Sequence, residues 1–198
     1  MNVYDFDNTI YDGDSSIDFA LHHLIHHPIL FCFLPVLFFA GCAAKLGLLS
    51  SKKSKELFFS FLQIVPALPE DVNAFWLLHC KKIKTWYLEQ QKPDDLIVSA
   101  SPAFLLSPLI REIGKELIAT EMSPTSGKIR GENCKGINKV KMILERKGDV
   151  HIHSFYSDSF SDTPLALRAE KAYLVFNRKR DKTKFLPWPL DNTSSRVQ

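Results

Sequence analysis

The sequence predicts an α/β protein in which an all-helical segment is inserted after the first strand of a parallel sheet. Two patterns predict this class: short apolar runs alternate with helical patterns after Pro93, and residues 13–92 carry helical periodicity. The chain has 198 residues, 45% of them hydrophobic and 24% charged, which suits one domain with a large insertion. We expect a core at 1–12 and 93–185, a helical insertion at 13–92 and a tail at 186–198.

The first 92 residues predict one strand followed by helices. The apolar run at 2–6 is long enough only for a strand, and it ends at an acidic pair. The next helix has Asp14 or Ser15 as its N-cap, and its apolar positions share one face: Ile17, Leu21, Leu24 and Ile25. Further helices are predicted in the apolar stretch 27–49, at 53–65 and at 70–91, where Pro93 ends the last one.

Strands and helices alternate in the second half of the chain. Strands are predicted at 94–102, 115–122, 149–159 and 172–176, and helices at 103–114, 137–148 and 163–171. Residues 123–134 predict a hairpin or loop. Because each strand is followed by a helical crossover, the strands should run parallel.

Charge and cysteine usage narrow the class of protein. The formal net charge of +3 is only mildly basic, and no nucleic-acid partner is predicted. The four cysteines show no CxxC pairing or metal-ligand spacing, which indicates reduced thiols and a cytoplasmic location. No signal peptide is expected, because polar residues precede the first apolar run.

Acidic side chains follow two of the predicted strands. The first strand ends at Asp5 and Asp7, the strand at 149–157 leads into Asp158 and Asp162, and the strand between them in sequence ends in VSAS, which contains Ser99. The carboxyl ends of parallel strands meet at one edge of the sheet, where ligands bind. Carboxylates crowded together repel one another unless a cation compensates, and oxygen ligands with few carboxylates suit Mg²⁺. The pattern therefore predicts a site for Mg²⁺ and a phosphate group.

These stretches resemble the motifs of the haloacid dehalogenase (HAD) superfamily. DFDNT at 5–9 matches its DxDx[TV] signature, and IVSAS at 97–101 looks like its second motif. NCKGINKV at 133–140 resembles the third motif, and YSDSFSD at 156–162 the fourth. The resemblance spans residue 2 to about residue 176 and implies a Rossmann-like core. The helical insertion is similar to the cap of the phosphoserine-phosphatase-like branch.

The resemblance implies roles for the acidic residues and the serine. Asp5 would be the nucleophile that forms an aspartyl-phosphate, and Asp7 would donate and then accept the proton. Ser99 and a lysine would hold a phosphoryl oxygen. Asp5, Asp158 and the main-chain carbonyl of Asp7 would bind Mg²⁺, with Asp162 in or just behind that shell.

Two positions depart from the family pattern or leave a choice open. The fourth motif is commonly GDGxxD, but Ser157 and Ser159 stand in place of both glycines, which predicts a stiffer loop. The third motif contains Lys135 and Lys139. Lys139 is favoured because it lies three residues after Gly136 and precedes a valine, and Lys135 remains the alternative.

The histidines of HHLIHH, at positions 22, 23, 26 and 27, form two i, i+4 pairs. This spacing can bind zinc, but no third ligand is apparent, so a polar helix face is the favoured interpretation. Trp76, Trp86 and Tyr87 are expected in the core of the cap.

The apolar stretch of the insertion admits two interpretations. Residues 19–44 contain no Asp, Glu, Lys or Arg, yet Ile29 to Ala44 is shorter than a spanning helix and contains Pro35. The segment is either a helix buried in the cap bundle or one that dips into a membrane interface, where nearby lysines, Lys55 among them, would suit anionic head groups.

The predicted function is Mg²⁺-dependent hydrolysis of a phosphomonoester, either a small metabolite or a phospholipid head group. A cap that closes over the site would exclude water and select the substrate. Tyr11, Asp12 and Asp14, where the chain enters the cap, could touch the leaving group. The alternatives are a phosphotransferase and a non-catalytic phosphate- or lipid-binding module of the same fold.

Overall fold

The fold is built on a mixed sheet, seen in a computed structural model that describes residues 1–178 and 182–189. The strands are β1 (Asn2–Tyr4), β2 (Leu96–Pro102), β3 (Glu116–Thr120), β4 (Ile152–Ser157), β5 (Ala169–Arg178) and β6 (Lys182–Pro187). Their order in the sheet is β3-β2-β1-β4-β5-β6. The first five strands are parallel, and β6 runs antiparallel to β5. The predicted α/β class is confirmed.

The helices lie between the strands in two groups. The cap contains α1 (Ser15–His26), α2 (Leu34–Lys45), α3 (Ser51–Phe58), α4 (Pro69–His79) and α5 (Thr85–Gln90). The core contains α6 (Ala103–Glu112), α7 (Ile137–Lys147) and the single turn α8 (Thr163–Ala166). Short 3₁₀ segments occur at Pro28–Phe33, Phe59–Gln63, Cys80–Lys82 and Phe160–Asp162.

Strand β1 lies in the middle of the parallel strands and brings the predicted motifs together. Tyr4 pairs with Ile97 of β2 on one side and Tyr156 of β4 on the other. The next residue, Asp5, donates its backbone N–H to the carbonyl of Tyr156 at 2.9 Å. The carboxyl ends of β1, β2 and β4 therefore lie side by side, at the edge where ligands bind in open α/β sheets.

The alternation of side chains along β1 divides the hydrophobic core into two parts. Val3 packs on one face with residues of β2, β4 and α7, whereas Tyr4 packs on the other face with residues of the cap. Trp76 of α4 extends this second part, and its indole Nε1 donates to the carbonyl of Leu105 at 2.6 Å. Trp76 and Tyr87 are buried and Trp86 is partly buried, as the sequence predicts for cap core residues.

The largest differences from the predicted elements occur at three places. The helix predicted at 70–91 is broken, because Ile83 forms a β-bridge with Tyr11 and the N–H of Lys84 donates to the carbonyl of Ile10, which ties this point to the core. The helix predicted at 163–171 ends after one turn, since residues from Ala169 onward pair with β4. Strand β6 extends the ordered core beyond 185, and Trp188 is buried; residues 190–198 of the predicted tail lie outside the described residues.

The apolar face predicted for α1 is wrong in its orientation. Asp14 caps the helix as expected, with its carboxylate accepting from the N–H groups of Ser16 and Ile17. Leu24 is buried as predicted, but Ile17, Leu21 and Ile25 are half or more exposed, whereas His22 and His23 of the same helix are buried. Much of α2 is also exposed, so the interpretation of a helix buried in the cap bundle is wrong as well. Among the described residues, no helix is both long and apolar enough to cross a membrane.

Candidate active site

The centre of the site is a lysine between two carboxylates. Lys139 lies in the first turn of α7, and its Nζ is 2.7 Å from Oδ1 of Asp5 and 2.6 Å from Oδ2 of Asp162. All three residues are buried. Burial alone would lower the pKa of Lys139, but the charges of Asp5 and Asp162 outweigh it and raise the pKa above its usual value. Lys139 therefore carries a positive charge in this structure.

The loop after β4 is fastened to the loop after β1. The backbone N–H of Asp158 donates to Oγ1 of Thr9 at 3.0 Å, and Thr9 is fully buried. Ser157 donates its hydroxyl to Oδ2 of Asp162 at 2.9 Å, and the hydroxyl of Ser159 accepts from the N–H of Ser161. Both serines that replace the family's glycines thus make local hydrogen bonds, and neither has the positive φ that would require glycine.

Asp7 has hydrogen-bond partners on both carboxylate oxygens. Oδ1 accepts from the N–H of Ser15 at the start of α1, at 2.7 Å, and Oδ2 accepts from the hydroxyl of Ser101 at 2.5 Å. Burial and the neighbouring charge of Asp14 raise the pKa of Asp7 to about 6. A carboxyl group with a pKa in this range can both donate and accept a proton near neutral pH.

The two serines at the end of β2 have different surroundings. Ser99 is fully buried, and its hydroxyl accepts from the N–H of Ser101 at 3.0 Å. Ser101 lies on the wall of the cavity beside Asp7, whereas Ser99 lies behind that wall. The phosphate-binding role of Ser99 stays a prediction, and the structure adds Ser101 as a hydroxyl in direct reach of the site.

Sequence reasoning missed one cap lysine that reaches the site. Lys55 of α3 donates from Nζ to the carbonyl of Ala100 at 2.6 Å, and it lines the same cavity as Asp5 and Asp7. Burial lowers its pKa to about 8, against the opposing charges of Asp7 and Asp14. The expectation that Lys55 faces anionic head groups is therefore wrong, because its side chain points inward. No motif in the sequence indicates that α3 lies beside the cavity.

A cavity of about 500 Å³ opens above these residues, between the core and the cap. Its floor is polar and includes Asp5, Asp158 and Lys139, and Lys135 also lines it. Apolar side chains on the cap side include Ile17, Phe58 and Phe59. Its volume falls in the range of pockets for small ligands.

The donor set fits a hard divalent cation. Asp5, Asp158 and Asp162 line the same cavity, and Lys139 pairs with Asp5 and Asp162. Oδ1 of Asp162 is buried without a hydrogen-bond partner. Burial and the charge of Asp5 raise the pKa of Asp158 to about 7, which a bound cation would reverse. Both side-chain oxygens of Asp7 accept hydrogen bonds, from Ser15 and Ser101, and the Mg²⁺ ligand that the family resemblance implies here, the main-chain carbonyl of Asp7, stays a prediction.

The histidines of α1 are not a solvent-exposed polar face. His22 and His23 are buried, and the expectation of a missing third ligand is wrong, because ligand atoms of His23, His27 and Asp71 lie within 4.8 Å of one another. Asp71 begins α4, where its Oδ2 accepts from the N–H of Leu68 at 3.2 Å. These polar side chains pack between α1 and α4, where the sequence predicted apolar ones.

The family follows from the sequence match as well as from the site. The sequence model of the haloacid dehalogenase-like hydrolases matches residues 3–167, and the chain belongs to this family. The match includes all four stretches that meet at the carboxyl edge of the sheet.

Solved structures share the fold at low sequence identity. A protein of unknown function from Bordetella pertussis Tohama I has a TM-score of 0.73 and 18% identity over 87% of each chain. A phosphoserine phosphohydrolase-like protein from Francisella tularensis subsp. tularensis SCHU S4 has a TM-score of 0.60 and 16% identity, over 87% of this chain and 86% of that one. A substrate-bound phosphoserine phosphatase has a TM-score of 0.58 and 15% identity, over 86% and 82%. These likenesses show that the chain shares the fold of those structures.

One curated relative is similar over part of its length. The protein CicA of Caulobacter vibrioides is 35% identical over 92 residues, which are 42% of this chain and 41% of CicA. The match thus covers less than half of that relative.

Proposed function

We propose that this protein is a Mg²⁺-dependent phosphomonoester hydrolase that works through an aspartyl-phosphate on Asp5. The observation that supports it most is the position of Asp5 on the cavity floor, paired with Lys139 and beside Asp158 and Asp162. A carboxylate at the end of a central strand, with a fixed cation at its side, suits in-line attack on a phosphoryl group.

In the first step, a carboxylate oxygen of Asp5 attacks phosphorus, and the bond from phosphorus to the leaving oxygen breaks. Asp7 donates its proton to that oxygen, so that the product leaves as an alcohol. Ser101 and the N–H of Ser15 hold the Asp7 carboxyl in place for this transfer. A pKa of about 6 keeps part of the Asp7 population protonated at neutral pH.

In the second step, water attacks the phosphorus of the aspartyl-phosphate. Asp7, now ionised, accepts the proton of that water, and the phosphorus–oxygen bond to Asp5 breaks to release inorganic phosphate. Lys139 holds Asp5 in position in both steps, and Lys55 adds a positive charge above the transferred group.

Mg²⁺ would be held by Asp5, Asp158 and the carbonyl of Asp7, with Asp162 close by, and when bound it neutralises charge on the phosphoryl oxygens. The substrate is a phosphomonoester small enough for the cavity, either a small metabolite or a phospholipid head group. Apolar side chains line the cap side of the cavity, and they support a substrate whose leaving group is partly apolar.

The test is hydrolysis of p-nitrophenyl phosphate with and without Mg²⁺, comparing wild type with Asp5→Asn. The proposal predicts metal-dependent release of phosphate that is lost in the variant. Added methanol separates the two reaction classes, because a phosphotransferase would form methyl phosphate where a hydrolase releases phosphate alone. If wild type released no phosphate and bound neither vanadate nor beryllium fluoride with Mg²⁺, the fold would serve as a binding module instead.

A further inference from the structure

The first two cap helices and the turn between them expose large apolar side chains. We define the cap apolar surface by Leu21, Ile25, Ile29, Phe31, Phe38 and Phe39, whose side chains are between 51% and 75% exposed. Leu21 and Ile25 are one turn apart on α1, and the 3₁₀ turn at Pro28–Phe33 packs against both α1 and α2. Exposed aromatic and aliphatic side chains on adjoining elements mark an interaction site, whereas single exposed apolar residues do not.

The charged residues within this part of the chain are lysines. From Phe19 to Lys55 the chain has no Asp or Glu, and its lysines are Lys45, Lys52, Lys53 and Lys55. Lys55 faces the cavity, which leaves Lys52 and Lys53 on α3, and α3 packs against α2. An apolar surface with lysines on a neighbouring helix is complementary to an anionic bilayer surface, where apolar side chains enter the acyl boundary and lysines meet head groups. A protein partner recognised through charge would need charged residues within the patch, and residues 19–44 supply none.

The surface continues to the mouth of the candidate active site. Ile17 lies one turn before Leu21 on α1, is half exposed, and also lines the cavity. On α2, Ala40 and Gly41 line the cavity directly after Phe38 and Phe39. A bilayer in contact with the cap apolar surface would therefore lie beside the cavity opening.

We propose that the cap apolar surface docks this protein peripherally on an anionic lipid bilayer, with the cavity opening next to the head groups. Docking needs no catalysis, so it stands or falls independently of the phosphatase proposal. Phe38 is the most exposed of these side chains, so its replacement by serine removes the least packing in the folded protein.

The experiment is co-sedimentation of the full chain with vesicles of phosphatidylcholine, with and without phosphatidylglycerol. The matched variants are Phe38→Ser on the cap apolar surface and Leu167→Ser in the core, since both side chains are more than half exposed. We expect wild type to bind vesicles that contain phosphatidylglycerol, with weaker binding as salt rises. Phe38→Ser should lower the partition coefficient on the order of tenfold, and Leu167→Ser should leave it unchanged.

Three results would overturn the proposal. Wild type could fail to bind anionic vesicles at low salt, or Phe38→Ser and Leu167→Ser could bind equally well. Light scattering could instead show a dimer that Phe38→Ser converts to a monomer while vesicle binding is absent, which would assign the surface to a second copy of the chain. Hydrolysis of p-nitrophenyl phosphate by the same variants, without vesicles, tests the phosphatase proposal separately.

Discussion

Lys139 and Asp5 are 134 residues apart in the chain, and their side chains meet at 2.7 Å in the interior. The lysine comes from the first turn of α7 and the aspartate from the end of β1, so the contact exists only when the sheet is complete. Since Asp162 contacts the same ammonium, one cation holds two buried carboxylates. Assembly of the site and folding of the core are therefore coupled.

Replacement of Lys139 should affect both stability and turnover. Lys139→Met leaves the carboxylates of Asp5 and Asp162 buried without their cation, and breaking such a pair costs about 3–5 kcal/mol. Urea unfolding without Mg²⁺ measures this loss. Lys135→Met is the control, because Lys135 lines the cavity but makes no ion pair among the described residues. A larger effect of Lys135→Met on phosphatase activity would make Lys135 the lysine of the third motif.

The neighbour Asp14 should tune the proton transfer by Asp7. The charge of Asp14 raises the pKa of Asp7, after the larger effect of burial. Asp14→Asn removes that charge and keeps a good N-cap for α1, so the kinetic pKa that belongs to Asp7 should move to lower pH. The pH dependence of kcat/KM measures it, with Asp12→Asn as the control. An unchanged profile in Asp14→Asn, or an upward shift, would contradict the assignment of Asp7.

Lys55 should bind the substrate's negative charge in a pH-dependent way. Its pKa of about 8 means that the ammonium loses its proton as the pH rises through that value, and binding of an anion should then weaken. We expect the KM of wild type to rise above pH 8. In Lys55→Met, the KM should be raised about tenfold at pH 7 and should change little between pH 7 and pH 9, because the ionising ammonium is gone. Lys53→Met, which alters an exposed lysine of the same helix, should behave as wild type.

A glycine joins the cap to the loop after β3. Gly127 has φ +67°, and a Cβ there would lie 2.3 Å from the carbonyl oxygen of Phe59. Gly127→Ala should lower the free energy of unfolding by about 3 kcal/mol, since both strain and overlap act. Gly114→Ala is matched in φ at +67° but meets open space, so a loss of about 1 kcal/mol is expected. If chemical denaturation shows the same loss of unfolding free energy for Gly127→Ala and Gly114→Ala, the close approach of Gly127 to the cap does not contribute to stability.

Buried His22 should make stability depend on pH. Burial, together with neighbouring His26 and His79, lowers its pKa to about 4. The unfolded chain binds a proton at a pKa near 6.5, so stability is full above that value and falls as the pH drops from 6.5 towards 4. His22→Gln should flatten this part of the curve of unfolding free energy against pH, and His26→Gln, which removes only a secondary cause of the pKa shift, should flatten it less. A curve that keeps its slope in His22→Gln would assign the dependence to other groups.

The sequence predicted the core better than the cap, for a physical reason. Short apolar runs and motifs at strand ends identify β1, β2 and β4 and place Asp5, Asp7 and Asp158 at one edge. In the cap, helical periodicity correctly predicted a helix at α1. It assigned the wrong face to the interior, because the face with four histidines was predicted to be exposed to solvent. Periodicity alone does not say which face a neighbouring element covers.

Contacts between the cap and the core could not be predicted from the sequence either. Lys55 reaches the cavity because α3 packs against α2 and lies over the end of β2, which no local pattern encodes. The break at Ile83 results from a bridge to Tyr11, 72 residues earlier, within a run whose apolar spacing is that of a continuous helix. Ser101 contacts Asp7, which lies 94 residues earlier in the chain, and no local pattern indicates this contact.

The most direct test of the central claim is chemical trapping of the phosphorylated enzyme. Borohydride reduces an aspartyl-phosphate to homoserine, and peptide mass spectrometry then locates the modified position. With p-nitrophenyl phosphate and Mg²⁺ present, we expect homoserine at position 5 in wild type and no modification in Asp5→Asn. Modification at Asp158 or Asp162, or turnover of the substrate by Asp5→Asn at the wild-type rate, would contradict the claim that Asp5 is the nucleophile.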